Sequence, residues 1–123
     1  MNLNAKTAAI VIGVVFILVG ILGFIDNPLV SATGLFAVNT VHNLVHIVSG
    51  LVLLAGAYSF GSSLALKIVG VVYGIVAILG LITSSDMLLG TILVNQADDW
   101  LHVLLAVVIL AAGFLLEDEP AMA

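Results

Sequence analysis

Four long apolar runs, separated by short polar segments, make up most of the chain. Each is close to the roughly 20 residues that an α-helix needs to cross about 30 Å of hydrocarbon. A membrane-spanning strand would be shorter and would alternate in polarity, and these runs do neither. The pattern therefore predicts an all-α fold, a transmembrane four-helix bundle. The predicted spans run from about Thr7 to Ile25, Val41 to Tyr58, Leu64 to Ile82 and Trp100 to Leu116.

The composition places the outer surface of this bundle in contact with a lipid bilayer. Of the 123 residues, 63% are hydrophobic and only 7% are charged, whereas soluble domains carry roughly a quarter charged residues. Lys6 and Lys67 are the only Lys or Arg residues against a net charge of −5, so no nucleic-acid partner is expected. The chain has no cysteine, which excludes thiolate metal sites and thiol nucleophiles.

The two halves of the chain resemble each other. The stretch GVVFILVGILGFI at positions 13–25 aligns with GVVYGIVAILGLI at 70–82, with eight identities in thirteen at an offset of 57. Asn39 and His46 match Asn95 and His102 at an offset of 56. Two-span repeats restart on the same side of the membrane, so an axis along the membrane normal would relate them. We predict a single domain over 1–123, built from parallel repeats at about 7–58 and 64–116 and followed by a solvated acidic tail at 117–123.

Polar side chains concentrate where the second and fourth spans begin, in NTVHNLVH at 39–46 and NQADDWLH at 95–102. Residues four apart share a helix face, so His42 pairs with His46, and Asp98 pairs with His102. If the two spans face each other, three imidazoles and a carboxylate converge, a ligand set suited to zinc, iron, copper or manganese. The sequence thus predicts a divalent transition-metal site. Four further residues could orient these ligands through hydrogen bonds: Asn39, Asn43, Asn95 and Asp99.

Other interpretations of the same residues remain open. Asn39 and Asn95 stand where helix N-caps belong, and Asn95 with Asp98 resembles a capping box. The histidines could then form a hydrogen-bond network with Asp98 and Asn95 that only holds the two halves together. Haem between His46 and His102 fits the symmetry, but a macrocycle needs more room than a bare ion. A channel or transporter with the histidines as a proton-responsive group would need an oligomer, because four spans leave little lumen.

Catalytic motifs are missing from the sequence. It contains no Gly-x-Ser-x-Gly turn, no phosphate-binding loop and no dinucleotide fingerprint. No reaction is therefore predicted, and an enzymatic role is left open.

Two smaller signals concern assembly and orientation. Gly70 and Gly74 form a small-residue face on the third span, which favours close packing within the bundle or a homo-oligomer. Lys6 and Lys67 both precede odd-numbered spans, so the positive-inside rule places both termini in the cytoplasm. The histidine-bearing helix starts would then lie near the outer face of the membrane.

The polar residues and the four-span layout together resemble a family of small bacterial and archaeal membrane proteins catalogued as a domain of unknown function. Its members are similar in starting the second span with Asn-x-x-His-Asn-x-x-His and the fourth with Asn-x-x-Asp-x-x-x-His. The resemblance covers about Thr7 to Leu116 and carries no established activity. It implies a prokaryotic plasma-membrane location and supports the fold and the choice of site. The matching positions are His42, Asn43, His46, Asn95, Asp98 and His102.

Overall fold

A computed structural model describes residues 3–118 of the chain, so positions 119–123 of the predicted acidic tail lie outside the described part. Four helices pack together, and a pair of two-residue strands lies in each of the connections α1–α2 and α3–α4. The elements are α1 (Ala5–Leu22), β1 (Val30–Ser31), β2 (Phe36–Ala37), α2 (Thr40–Ala55), α3 (Ser62–Ile82), β3 (Met87–Leu88), β4 (Ile92–Leu93) and α4 (Gln96–Leu115). The predicted all-α four-helix bundle is confirmed.

All four helices are long and apolar enough to cross a membrane. The second span continues beyond α2 through a π-helical turn, Gly56–Phe60, and so covers Thr40–Phe60. Large apolar side chains such as Leu18, Leu104 and Val107 lie exposed on the outside of the bundle. Such a surface is stable against hydrocarbon and not against water. These features suggest an integral membrane protein.

The helix boundaries differ from the predicted spans where polar residues cap the helices. α4 begins at Gln96 and not at Trp100, because Asn95 caps it one turn earlier than the apolar run starts. The connection between the second and third spans is shorter than the predicted bounds imply, because helical backbone continues to Phe60. Gly61 alone makes the break, at a φ of 120° that favours glycine.

Small residues bring the helices together in two close pairs, α1 with α2 and α3 with α4. A Cβ placed on Gly20 would lie 2.8 Å from the backbone oxygen of Asn43 in α2. In the second pair, a Cβ on Gly70 would lie 2.7 Å from the Leu110 side chain of α4. Gly70 therefore serves packing inside the chain, whereas the homo-oligomer through the Gly70 and Gly74 face stays a prediction. The seams α2–α3 and α1–α4 are less closely packed.

The strand pairs cover the end of the bundle at which α2 and α4 begin, which we call the histidine end. β1 and β2 pair in parallel, with Val30 opposite Phe36, and β3 and β4 pair antiparallel, with Leu88 opposite Ile92. Apolar residues of these connections point inward: Val30, Val38, Leu88 and Val94 are buried. The sequence pattern did not predict these strands.

The opposite end carries Lys6 and Lys67, and we call it the lysine end. It is closed by the start of the acidic tail. The backbone oxygen of Glu117 accepts a hydrogen bond from the Ala5 N–H (2.7 Å), at the start of α1. Asp118 Oδ1 accepts one from the Ser63 N–H (3.0 Å), at the start of α3. Both residues are exposed, as predicted for a solvated tail, but they also contact two helix N-termini, which the sequence pattern did not predict.

Candidate metal centre

Two asparagines fix where the histidine-bearing helices begin. Asn39 Oδ1 accepts from the His42 N–H, and Asn95 Oδ1 accepts from the Asp98 N–H, both at 3.0 Å. Asp98 Oδ2 in turn accepts from the Asn95 N–H at 2.9 Å, which completes a capping box. The predicted N-caps are thus confirmed. In α2 the position corresponding to Asp98 is His42, whose side chain bonds elsewhere.

The same asparagines tie each half of the chain to the connection of the other half. Asn39 Nδ2 donates to the Thr91 oxygen (2.9 Å), and Asn95 Nδ2 donates to the Leu35 oxygen (2.8 Å). Thr91 follows Leu35 by 56 residues, the same offset that separates the two asparagines. The starts of α2 and α4 are therefore held by a matched pair of crossed hydrogen bonds.

The three histidines of the chain come together between α2 and α4. His42, His46 and His102 are only 2%, 7% and 1% exposed. The ring of His42 lies 4.6 Å from that of His46 and 5.4 Å from that of His102, measured between centroids. Each imidazole offers one ligand atom such that all three atoms lie within 4.8 Å of one another. The predicted convergence of imidazoles from separate helices is therefore present.

The hydrogen-bond partners of the rings show which nitrogens are free. His42 Nδ1 lies 2.6 Å from the backbone oxygen of Leu93, and a carbonyl can only accept, so this nitrogen carries the proton. The Nε2 lone pair of a neutral His42 is then available. Nδ1 of His46 and Nδ1 of His102 are buried and have no hydrogen-bond partner in residues 3–118. An unpaired buried polar atom costs about 1–3 kcal/mol, so each favours a ligand.

Asp98, the fourth predicted ligand, is buried but does not belong to the group of converging ligand atoms. One of its oxygens is engaged in the capping box. The structure thus brings together three of the four predicted ligands, and a metal-binding role for Asp98 stays a prediction.

The four residues predicted to orient the ligands divide into two kinds. Asn39 and Asn95 act through backbone groups, as described above. Asn43 lies against Gly23 at the end of α1, and Asp99 lies against Gly80 near the end of α3, in both cases where a Cβ would collide with the side chain. Asn43 Oδ1 and Asp99 Oδ1 are buried without a hydrogen-bond partner in the described residues. These two side chains therefore pack α2 on α1 and α4 on α3.

Two aromatic rings complete the surroundings of the histidines. Phe16 lies 5.8 Å from His46, Tyr73 lies 5.6 Å from His102, and the two aromatic rings lie 5.1 Å apart. Tyr73 donates a hydrogen bond to Ser49 Oγ (3.2 Å). Phe16 and Tyr73 were not among the predicted site residues. Their match within the repeated stretch, at 13–25 and 70–82, is the signal that could have identified them.

A small cavity of about 10 Å³ lies among the three imidazoles, enough for about one water-sized particle. A single ion fits a space of this size, whereas a haem macrocycle does not. The three buried imidazoles therefore offer nitrogen atoms that could hold a single ion in this cavity. The cavity is lined by His42, Val45, His46, Tyr73, Val76, Ile92 and His102.

The fold and this geometry define a class: a small membrane-embedded four-helix bundle with a buried cluster of three histidines near one end. The chain belongs to the family described as a domain of unknown function (DUF4383), whose family model matches residues 6–115. No curated protein and no solved structure gives a significant match.

Proposed function

We propose that this protein binds one divalent transition-metal ion within the membrane, with His42, His46 and His102 as ligands. The observation that carries the proposal is the convergence of three buried imidazoles, two of which have an unpartnered nitrogen. Burying polar atoms without partners is unfavourable, and ionisable residues inside a membrane span are costly unless they have a function. One bound ion would satisfy all three rings.

The distances are compatible with coordination after small side-chain rotations. Metal–imidazole bonds of about 2.0–2.1 Å place the ligand atoms of a tetrahedral ion roughly 3.3 Å apart. The present spread, within 4.8 Å, needs the rings to close by about 1.5 Å or less. The His42 hydrogen bond to the Leu93 oxygen is the kind of outer contact that fixes the tautomer of a metal-bound histidine.

A difference between the two halves also supports a function for the third imidazole. The matched contacts of Phe16 with His46 and Tyr73 with His102 support two repeats, at about 7–58 and 64–116, related by a quasi-twofold axis. At the third residue of its helix, α4 has Asp98, which closes a capping box, whereas α2 has His42. The α2 start thus lacks the reciprocal capping bond and presents a third ligand instead.

The ligand set narrows the choice of ion. Imidazoles suit zinc, copper, iron and nickel, whereas manganese prefers carboxylate and water. With Asp98 engaged at the N-terminus of α4, zinc, copper and iron are favoured over manganese among the four predicted ions. Three protein ligands leave one position open for a water or another small molecule.

Elemental analysis of protein purified in mild detergent tests the proposal directly. We expect about one equivalent of metal per chain, and little in His46→Ala or His102→Ala. Asp98→Asn is the matched control, because an Asn side chain still accepts a backbone hydrogen bond at this position. If this variant retains the metal, the ligands are the three imidazoles. If it loses the metal, the Asp98 carboxylate is a fourth ligand. Wild-type protein that takes up no ion at micromolar concentrations would refute the proposal.

A second candidate function is structural: the cluster of polar residues holds the two halves together. Three hydrogen bonds between the halves favour it: from Asn39 to Thr91, from Asn95 to Leu35 and from His42 to Leu93. In that case the protein is free of metal, and replacing His42 lowers its stability as much with a chelator as without one. Stabilisation that depends on added metal supports the first candidate instead.

The positions of Lys6 and Lys67 support an assignment of the site to the outer side of the membrane. Both lie at the end opposite the histidines, and we assign that end to the cytoplasm of a prokaryotic plasma membrane by the positive-inside rule. Because the chain has no cysteine, single replacements can be labelled selectively. A membrane-impermeant maleimide should label Ser85→Cys in intact cells and Ser59→Cys only after lysis. The reverse pattern would place the histidine end in the cytoplasm.

A further inference from the structure

The α2–α3 seam contains an apolar groove that faces the hydrocarbon. Its volume is about 390 Å³, and Ser49 is the one polar residue among those that line it. Along α2 it extends from Val41 to Val52, or about 16 Å at the rise of an α-helix. The hydrocarbon of one leaflet is about 15 Å deep, half of the ~30 Å core. The groove therefore has about the length of one leaflet and begins beside the start of α2.

This groove and the histidine cavity share a thin wall. Val45 lines both of them. The cavity is otherwise lined by three buried imidazoles and a buried tyrosine, whereas Val45, Val76 and Ile92 are partly exposed. The side of the cavity that faces the α2–α3 seam is thus closed only by aliphatic side chains.

The matched positions on the opposite seam carry larger side chains. At the matched offsets of 56 and 57, the residues are Leu101 for Val45, Val19 for Val76 and Phe36 for Ile92. Two of the three are larger. A second apolar groove lies between α1 and α4, but it is lined by residues such as Thr7 and Leu115 and so lies at the other end of the bundle. The aliphatic side chains that separate the histidine cavity from the α2–α3 seam are therefore smaller than those at two of the three matched positions.

We propose that an acyl chain of a bilayer lipid lies in the α2–α3 groove, in contact with Val45, and covers the histidine cavity from the hydrocarbon side. The acyl chain supplies the apolar surface that is missing at the α2–α3 seam, which is less closely packed than α1–α2 and α3–α4. Consequently, a molecule that reaches the cavity laterally does so from the membrane interior and is itself apolar or small and uncharged. The proposal does not require a bound ion, so it stands or falls independently of the metal site.

Fluorescence quenching of buried tryptophans tests this arrangement. Trp100 is the only tryptophan, so Trp100→Phe provides a silent background. In that background Tyr73→Trp places a reporter behind the α2–α3 wall. Phe16→Trp places the matched control on the side with the larger matched side chains, at similar depth because the two native rings lie 5.1 Å apart. Both native rings are buried, at 2% and 4% exposure.

The protein is reconstituted in phosphatidylcholine carrying bromine in mid-chain, which quenches tryptophan on close approach. We expect a larger loss of fluorescence for Trp at position 73 than at position 16, and little quenching of either by aqueous acrylamide. Adding Val45→Leu should reduce the loss at 73, and adding Leu101→Val should increase it at 16. Equal quenching at both positions, or quenching at 73 by acrylamide and not by brominated lipid, would overturn the proposal.

A measurement on the unmodified protein covers the case in which the tryptophan at position 73 prevents folding. Phosphatidylcholine with a mid-chain diazirine is photolysed, and the cross-linked residues are mapped by mass spectrometry. Labelling of Val45 and Ser49 above that of Val107, which is 61% exposed on the outer face, supports a resident chain. Labelling of Val107 alone refutes it.

Discussion

The crossed hydrogen bonds at the histidine end can be measured one at a time. Asn39 does two things: its Oδ1 caps α2 at the His42 N–H, and its Nδ2 donates to the Thr91 oxygen of the other half. Asn39→Ser keeps a good capping oxygen, but the shorter side chain cannot reach Thr91. Asn39→Ala removes both interactions. The difference in unfolding free energy between the two variants measures the contribution of the cap. The loss in the serine variant measures the contribution of the bond between the halves.

The expected magnitudes follow from the kinds of bond lost. A neutral hydrogen bond contributes about 0.5–1.5 kcal/mol, and this one is solvent-exposed, so the serine variant should lose about 0.5–1 kcal/mol of unfolding free energy. The alanine variant loses the cap as well, about 1 kcal/mol more, for a total of roughly 1.5–2 kcal/mol. Asn95→Ser, which breaks the bond to the Leu35 oxygen, should resemble Asn39→Ser, since both bonds have nearly the same length.

The assay is reversible unfolding in mixed micelles, followed by far-ultraviolet circular dichroism and by the fluorescence of Trp100. A serine variant as stable as wild type would mean that the crossed bond contributes nothing. A serine variant as unstable as the alanine variant would mean that the cap contributes nothing. Either result would refute the conclusion that the caps and the crossed bonds together hold α2 and α4 at the same depth.

Three further predictions concern packing, the lysine end and the site. Gly20→Ala should destabilise the protein by about 1–3 kcal/mol, because its Cβ would meet the Asn43 backbone. Gly74→Ala, where the nearest atom is 3.9 Å away, should stabilise it by up to about 1 kcal/mol; equal effects in the unfolding assay would contradict the close α1–α2 contact. Asp118→Ala should lower the free energy of unfolding by about 0.5–1 kcal/mol and speed amide exchange at Ser63. Unchanged exchange would show that Asp118 does not cap the start of α3. Adding zinc at about 100 times its dissociation constant should stabilise wild type by about 2.7 kcal/mol and leave His102→Ala unchanged, as thermal unfolding would show.

The sequence was sufficient to predict the spans, because hydrocarbon admits only chains that satisfy their own backbone hydrogen bonds and hide few charges. It also predicted that His42, His46 and His102 converge if the second and fourth spans face each other, because residues four apart share a helix face and His46 matches His102 in register. The apolar run alone begins later than α4 does, whereas the predicted N-cap Asn95 marks the start of the helix correctly. The sequence pattern missed the strands in the two connections, which are too short to have a periodicity.

What the sequence determined by itself is therefore the number of membrane spans and the residues available for a site, since both depend on the order of polar and apolar side chains along the chain. The tertiary structure decided which polar atoms have partners. Asp98 accepts a hydrogen bond at the N-terminus of its own helix, and His42 donates to a carbonyl of the other half. Two imidazole nitrogens have no partner in the described residues. Only the structure could decide this, because hydrogen bonds act over about 3 Å and residues distant in sequence compete for each donor and acceptor.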